Sequence, residues 1–201
     1  MKPANRIMKI LVNFFDNITS ASVNKMTNFI TQQIFTAERS GHDIQEIIIQ
    51  IKSGGGESDA GLFAFNFLKN LNIKKTTINL GNVDSAAVLL YCSGDNRLVT
   101  EHSRFVLHES TINLNGNFSK NKLKETSDYL KQINEDYINI ISNTLVGDYI
   151  DIRKEISEGY IIDSKKSIEL GLSKEIINNF YLNTTADVQG IIIDGLENLK
   201  K

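Results

Sequence analysis

Apolar positions along this chain alternate between two rhythms. Ile7–Phe15 (IMKILVNFF) is apolar on both faces and reads as a strand. Glu46–Lys52 (EIIIQIK) is a β-branched run and reads as a second, buried strand. Between them, residues 20–40 repeat at helical spacing. Met26, Phe29, Ile30, Gln33, Ile34 and Ala37 fall near one face, Ser20 or Ser22 is a candidate cap, and Gly41-His42-Asp43 is a turn. After Ser53-Gly54-Gly55-Gly56 a helix is predicted from about Ser58, with Ala60, Phe63, Ala64, Phe67, Leu68 and Leu71 on its apolar face.

The unit then repeats. Thr76–Leu80 is predicted as a strand, Gly81-Asn82-Val83-Asp84 as a turn and Ser85–Cys92 as an apolar helix. Strands alternating with helices through short loops imply crossover units and a mostly parallel sheet, an α/β fold. Arg97–Thr100 and Arg104–His108 read as short strands, and Ile112–Phe118 as a small hairpin around Asn115-Gly116. A long helix is predicted from Ser119 to Leu145, about 40 Å at roughly 1.5 Å per residue. A helix of that length projects from a small domain or packs on a neighbouring subunit. Helices at 148–157 and 164–170 follow, the second with Asp163 as N-cap and Gly171 as its stop. Glu175–Ile177 is a short strand, and Val188–Ile193 an edge strand or a segment ordered by a partner. We therefore expect one domain over residues 1–178 and a C-terminal extension over 179–201.

Composition narrows the function. The chain has 201 residues and a formal net charge of -2, which gives no electrostatic case for nucleic acid. Its N-terminus carries no signal-peptide core, and no apolar stretch is long enough for a membrane span. A cytoplasmic location fits. With three histidines and one cysteine, neither a metal-ligand spacing nor an internal disulfide arises, and no cofactor is expected. Cys92 lies in an apolar run and reads as a buried small hydrophobe.

Three segments carry candidate chemistry. Ser53–Gly56 ends a strand and precedes a helix, where consecutive glycines let backbone N–H groups face a ligand. It matches neither the P-loop nor the dinucleotide pattern, and a tight turn is the plain alternative. Gly81–Ala87 brings Ser85 to a strand end at a helix start, where it is either a nucleophile beside free N–H groups or a cap, with Asp84. Phe105–Ser110 ends a strand on His108, which is either a hydrogen-bonded structural residue or a general base, and is the histidine best placed for that role, since His42 lies in a surface turn and His102 in a polar loop. Serine precedes histidine, and the GxSxG elbow of α/β-hydrolases is absent.

These segments together resemble the Clp protease proteolytic subunit family. Ile51–Gly56 with Ala60-Gly61 is similar to its INSPGG…AG segment, with Gly54 where proline is usual. Gly81–Ala87 resembles GxAxSMG, Arg104–His108 resembles SRxMIH, and Asp163–Ile176 resembles SAEEAxEYGLIDxI. The resemblance runs from Ile7 to Ile177. It implies a crotonase-like β/α superhelix built from repeated ββα and βαβ units with a long handle-type helix. It implies a serine endopeptidase with Ser85 as nucleophile, His108 as base, and the backbone N–H groups of Gly56 and Ala86 as oxyanion hole. The family's third member, an Asp, falls on Gly159. Glu158 beside it is the candidate in its place, ahead of Asp163, which reads as a helix cap. Asp84 and Ala86 replace the usual small residue and methionine around the serine. Peptides or unfolded polypeptides are the implied substrates, and a homo-oligomeric ring or double ring the implied assembly. The first strand begins almost at once, which counts against the axial-loop contact with an AAA+ unfoldase. Two other readings are a catalytically impaired ring subunit and a crotonase-type enzyme acting on an acyl-CoA thioester. A serine–lysine dyad using Lys120, Lys122 or Lys124 is a lesser variant, since those lysines suit an exposed helix start.

Overall fold

The computed structural model describes residues 7–146, 151–178 and 187–195. The first part of the predicted 148–157 helix and most of the C-terminal extension lie outside them. Strands β1 (Ile7–Phe14), β2 (Asp43–Ser53) and β3 (Lys74–Asp84) form the centre of the sheet. Helices α1 (Ser20–Ser40), α2 (Ser58–Lys69) and α3 (Ala87–Cys92) follow them in turn. Then come β4 (Asn96–Thr100), β5 (Arg104–Leu107), α4 (Lys120–Ser142), α5 (Ile152–Glu158), β6 (Tyr160–Asp163), α6 (Ser164–Glu169), β7 (Glu175–Ile177) and β8 (Asp187–Ile193).

The main path of the sheet runs β6-β5-β3-β2-β1-β8, and β4 joins β3 to β7 beside it. All of these pairs are parallel except β5–β6. The parallel centre follows from the crossover helices, which cover one face and bury Ile10, Val12, Phe14, Ile47, Ile49 and Ile51 completely. Each such side chain contributes about 1.5–3 kcal/mol of burial free energy. The other face carries a smaller apolar cluster of Ile48, Ile78 and Leu98. Beside it Glu46 is held by Lys9 at 3.1 Å and Lys74 at 3.2 Å.

Local rules explain most element ends. Thr19 caps α1 through a reciprocal capping box with Ser22, and Gly41 stops it in the left-handed region at φ 67°. Asp163 caps α6 by accepting from the Lys166 N–H at 2.8 Å. Helix α4 has two halves. Its C-terminal half buries Ile133, Tyr137, Ile138 and Ile141, whereas Leu123 and Tyr129 in the N-terminal half are 49% and 41% exposed.

Two sequence expectations are corrected. Gly81–Asp84 is not a turn but the end of β3. Ile51 pairs with Asn79 and Ser53 with Val83, so β3 bulges between them. The bulge is held by Asn79, fully buried, whose side-chain carbonyl accepts from the Gly81 N–H at 2.9 Å while its amide donates to the Arg104 carbonyl at 2.9 Å. Beyond it β3 changes partner, pairing with β4 through Asn79 and with β5 from Asn82. The segment Ile112–Phe118 forms no hairpin. It is irregular and mostly exposed, with a bend at Gly116, because two short strands without a covering face are not stable alone.

Candidate active site

The three segments singled out by sequence end three neighbouring strands of the sheet, β2, β3 and β5. Ser85 follows the last residue of β3. It is the single non-glycine residue at positive φ among the described residues, at 52°. That conformation costs a residue with a Cβ free energy and persists only when the surroundings fix it. Here they do. The Ser85 N–H donates to the Val106 carbonyl on β5 at 2.7 Å. The Ser85 carbonyl accepts from the Val88 N–H at 2.9 Å and from the Tyr137 hydroxyl at 3.2 Å. Behind it α3 is buried throughout.

The glycine loop wraps this turn. Gly55 and Gly56 have φ of 91° and 146°. A Cβ on Gly55 would lie 2.7 Å from the Asp84 carbonyl oxygen and 2.7 Å from the Ser85 Cβ, and one on Gly56 would overlap the Ile18 carbonyl. Close backbone approach is thus the reason for glycine at both positions. Ile18 anchors the loop. Its N–H donates to Gly55 at 2.8 Å and its carbonyl accepts from the Glu57 N–H at 2.8 Å. This parallel bridge turns the N–H of Gly56 away from Ile18. Among the described residues neither the Gly56 N–H nor the Ala86 N–H has a hydrogen-bond partner. Gly61, in the first turn of α2, brings that helix onto the same turn, since a Cβ there would meet the Ala86 carbonyl oxygen at 2.9 Å.

His108 lies just past β5. Asp84 pairs with Val106, so the histidine follows the strand that holds the Ser85 N–H. Its ring is exposed, and Nδ1 lies 2.8 Å from the Glu109 carbonyl oxygen. No hydrogen bond joins His108 to Ser85 or to a carboxylate among the described residues. Glu158 is exposed at the end of α5 and sits 3.9 Å from Lys154. Among the described residues no hydrogen bond or ion pair joins Asp84 to His108 or to a cation. Its Oδ2 accepts from the Asn82 amide at 2.8 Å, and its Oδ1 is buried without a partner among the described residues.

A groove of about 350 Å³ runs from Gly56 past Ser110 and Ile112 to Tyr129 and Ile133 on α4. Its rim is acidic. Hydrogen bonds from the Ser20 hydroxyl and N–H hold the Glu57 carboxyl below the usual carboxylate range. Tyr129 donates to Asp59 at 2.7 Å, which pushes the phenol up to about 12. Sequence reasoning missed Ile18, Asn79, Asn134 and Tyr137. Only Tyr137 left a signal, a hydroxyl on an otherwise aliphatic helix face.

Among the described residues no cluster of His, Cys, Asp and Glu is suited to a metal ion, and no helix is long and apolar enough to cross a membrane. The arrangement is that of a serine turn packed against the glycine loop, with backbone donors that have no partner among the described residues and a groove that begins at Gly56, which suits acyl transfer.

The chain is similar to Clp protease subunits. The chain is 26% identical over 178 residues to an ATP-dependent Clp protease proteolytic subunit 2 of Treponema denticola, covering 86% of each chain. It is 27% identical over 137 residues to the corresponding subunit 2 of Borreliella burgdorferi, covering 67% of this chain and 68% of that one. A ClpP1 mutant from Listeria monocytogenes shares the fold, with a TM-score of 0.70 at 19% identity over 85% of this chain and 92% of the other. The Clp protease family model matches residues 4–180, nearly the whole of the described sheet and its helices, and the protein belongs to the Clp protease family.

Proposed function

We propose that the protein is a serine endopeptidase that cleaves peptides or unfolded polypeptides through an acyl-enzyme. The observation that carries this reading is the backbone of Ser85. A strained non-glycine residue at φ 52°, wedged against Gly55 and held from β5, is the setting in which strain serves a reactive group.

In this reading the Ser85 hydroxyl attacks the substrate carbonyl while His108 Nε2 takes its proton. The Gly56 and Ala86 N–H groups hold the oxyanion. His108 returns the proton to the leaving amine, and water then releases the acyl group by the reverse sequence. The Nδ1 contact to the Glu109 carbonyl fits a histidine protonated on Nδ1, which leaves Nε2 free to accept. The peptidase domain spans residues 1–178, with β8 of the C-terminal extension added along β1. The protein works in the cytoplasm as a homo-oligomeric ring, with the exposed half of α4 at the subunit contact. Glu158 is the candidate acid.

A second reading, a ring subunit of low activity, is favoured by one observation: glycine stands where the family carries its acid. One experiment separates the two. A fluorophosphonate probe should label the assembled protein, and Ser85→Ala should abolish the label. Absence of labelling in the assembled wild-type protein at every pH tested would overturn the peptidase reading and leave the second.

A further inference from the structure

Helix α4 bonds to Ser85 and to the segment just after His108. Tyr137 lies in its buried half and donates its hydroxyl to the Ser85 carbonyl at 3.2 Å. Asn134, one turn earlier, accepts the Ser110 N–H on its side-chain oxygen at 2.9 Å. Ser110 is two residues past His108, and its hydroxyl shares a 2.9 Å hydrogen bond with Ser58, two residues past Gly56. Residues three apart on a helix lie on one face. A single face of α4 therefore holds the nucleophile's turn, the segment after the base, and through Ser110 the start of α2 behind the glycine loop.

We infer that Asn134 and Tyr137 are positioning residues, which set the Ser85 turn and the His108 segment at a fixed separation. This rests on the reading of Ser85 as nucleophile. Neither residue touches the reacting atoms. Each acts on backbone, and that is where positioning is needed here. His108 has no carboxylate partner among the described residues to orient it, and the strained turn at Ser85 persists only because its surroundings fix it, the Tyr137 bond to its carbonyl among them. The two bonds also differ in kind from core packing. Ile133, Ile138 and Ile141 already anchor this half of α4, so the Tyr137 hydroxyl and the Asn134 amide are not needed to dock it. Burial pushes the Tyr137 phenol well above its usual range.

The test compares Tyr137→Phe, Asn134→Leu and Asn134→Asp with the wild type in the full chain. Asn134→Asp keeps the acceptor for the Ser110 N–H. Two quantities are read: the fluorophosphonate labelling rate, and amide hydrogen exchange in peptides covering Ser85–Val88 and His108–Ser110. Tyr137→Phe should slow labelling by about three- to tenfold, the rate equivalent of one hydrogen bond, and should raise exchange at Ser85–Val88. Asn134→Leu should do the same at His108–Ser110, and Asn134→Asp should restore both readouts. The melting temperatures and assembly of Tyr137→Phe and Asn134→Asp should stay close to wild type. Wild-type labelling and exchange in Tyr137→Phe and Asn134→Leu would overturn the inference, as would equal losses in Asn134→Asp and Asn134→Leu. If Tyr137→Phe does not fold, the Asn134 pair still decides. If the wild type does not label, the nucleophile reading fails on its own, and exchange still reports whether α4 holds the two segments.

Discussion

Leu107 and Tyr160 face each other at the last rung of the antiparallel β5–β6 pair. Beyond this rung the pairing stops, and the next residues along the two strands are His108 and Gly159. Among the described residues nothing lies within 4 Å of a Cβ built on Gly159, so a side chain there meets open space. The Gly159 backbone is not neutral, however, since φ is 84° and ψ 109°, a region that glycine adopts freely and other residues at a cost of about 1–3 kcal/mol.

Gly159→Asp and Gly159→Ala should therefore both lower stability by that amount. Only the aspartate should raise the labelling rate per folded molecule, by about tenfold or more over the alanine variant, a fraction of what an orienting Asp contributes in an intact triad. Glu158→Gln in the same assay distinguishes the neighbouring acid. A drop comparable to the Gly159→Asp gain would assign the orienting role to Glu158, and no change would remove it. Labelling rates at matched folded fractions check both.

The glycine loop gives a sharper prediction. Gly55→Ala meets the Ser85 Cβ and the Asp84 carbonyl at 2.7 Å, both on a backbone already fixed from β5. Neither contact is the flexible end of a side chain, so the loop or the serine turn has to move. Gly54, whose Cβ would meet only the Asn17 side chain at 3.9 Å, is the control. Gly55→Ala should abolish labelling and lower stability by about 1–3 kcal/mol. Gly54→Ala should label within about twofold of wild type, a difference small beside the loss of an oxyanion donor. Chemical denaturation and labelling on the same samples read both effects.

The outcome of these substitutions depends on features that differ in how far local sequence encodes them. The alternation of β-branched runs with helical spacing set out β1, α1, β2 and α2, and the Asp163 cap was readable because its bonds reach only three residues. The end of β3 was not. Gly81-Asn82 carries turn chemistry, and what keeps it in a strand is Asn79 bonding to Arg104, a residue far along the chain. Likewise Ser85 and His108 each looked like a strand-end residue with an ordinary structural explanation. What joins them is the Asp84–Val106 pairing and the Ser85 N–H bond across it, neither of which any window of sequence contains. Resemblance to a family supplied that link where periodicity had none to offer.

Glu46 makes the stability of the sheet depend on pH. Burial alone would raise its carboxyl, but hydrogen bonds from Thr76, Lys9 and Lys74 outweigh that and hold it below its ordinary value. A folded-state value below the unfolded one contributes stability that is present above the unfolded value and lost as the pH falls through the folded one. Glu46→Gln should cost about 1.5–3 kcal/mol at neutral pH, the range for hydrogen bonds to a charged group. The gap between wild type and variant should narrow as the pH falls through and below the carboxylate range. Denaturant titrations at neutral and acidic pH check the sign. A gap that widens on acidification would contradict the network as drawn.

Cys92 offers a test of the core that is independent of activity. It closes α3, is 1% exposed, and burial pushes its thiol up to about 11. The shift from 9.0 to about 11 leaves about a hundredfold less thiolate near neutral pH, and burial denies a reagent access to what remains. Modification in the native protein therefore has to pass through opening of α3. That helix sits directly behind Ser85 and is packed by α2, so its opening removes the serine turn as well. Iodoacetamide should thus leave Cys92 unmodified in the native protein over hours and modify it at once in denaturant. In variants such as Gly55→Ala, which strain the turn from the other side, the modification rate should rise in step with the loss of stability. Fast modification of the native wild type, read by mass spectrometry, would show that α3 opens without global unfolding.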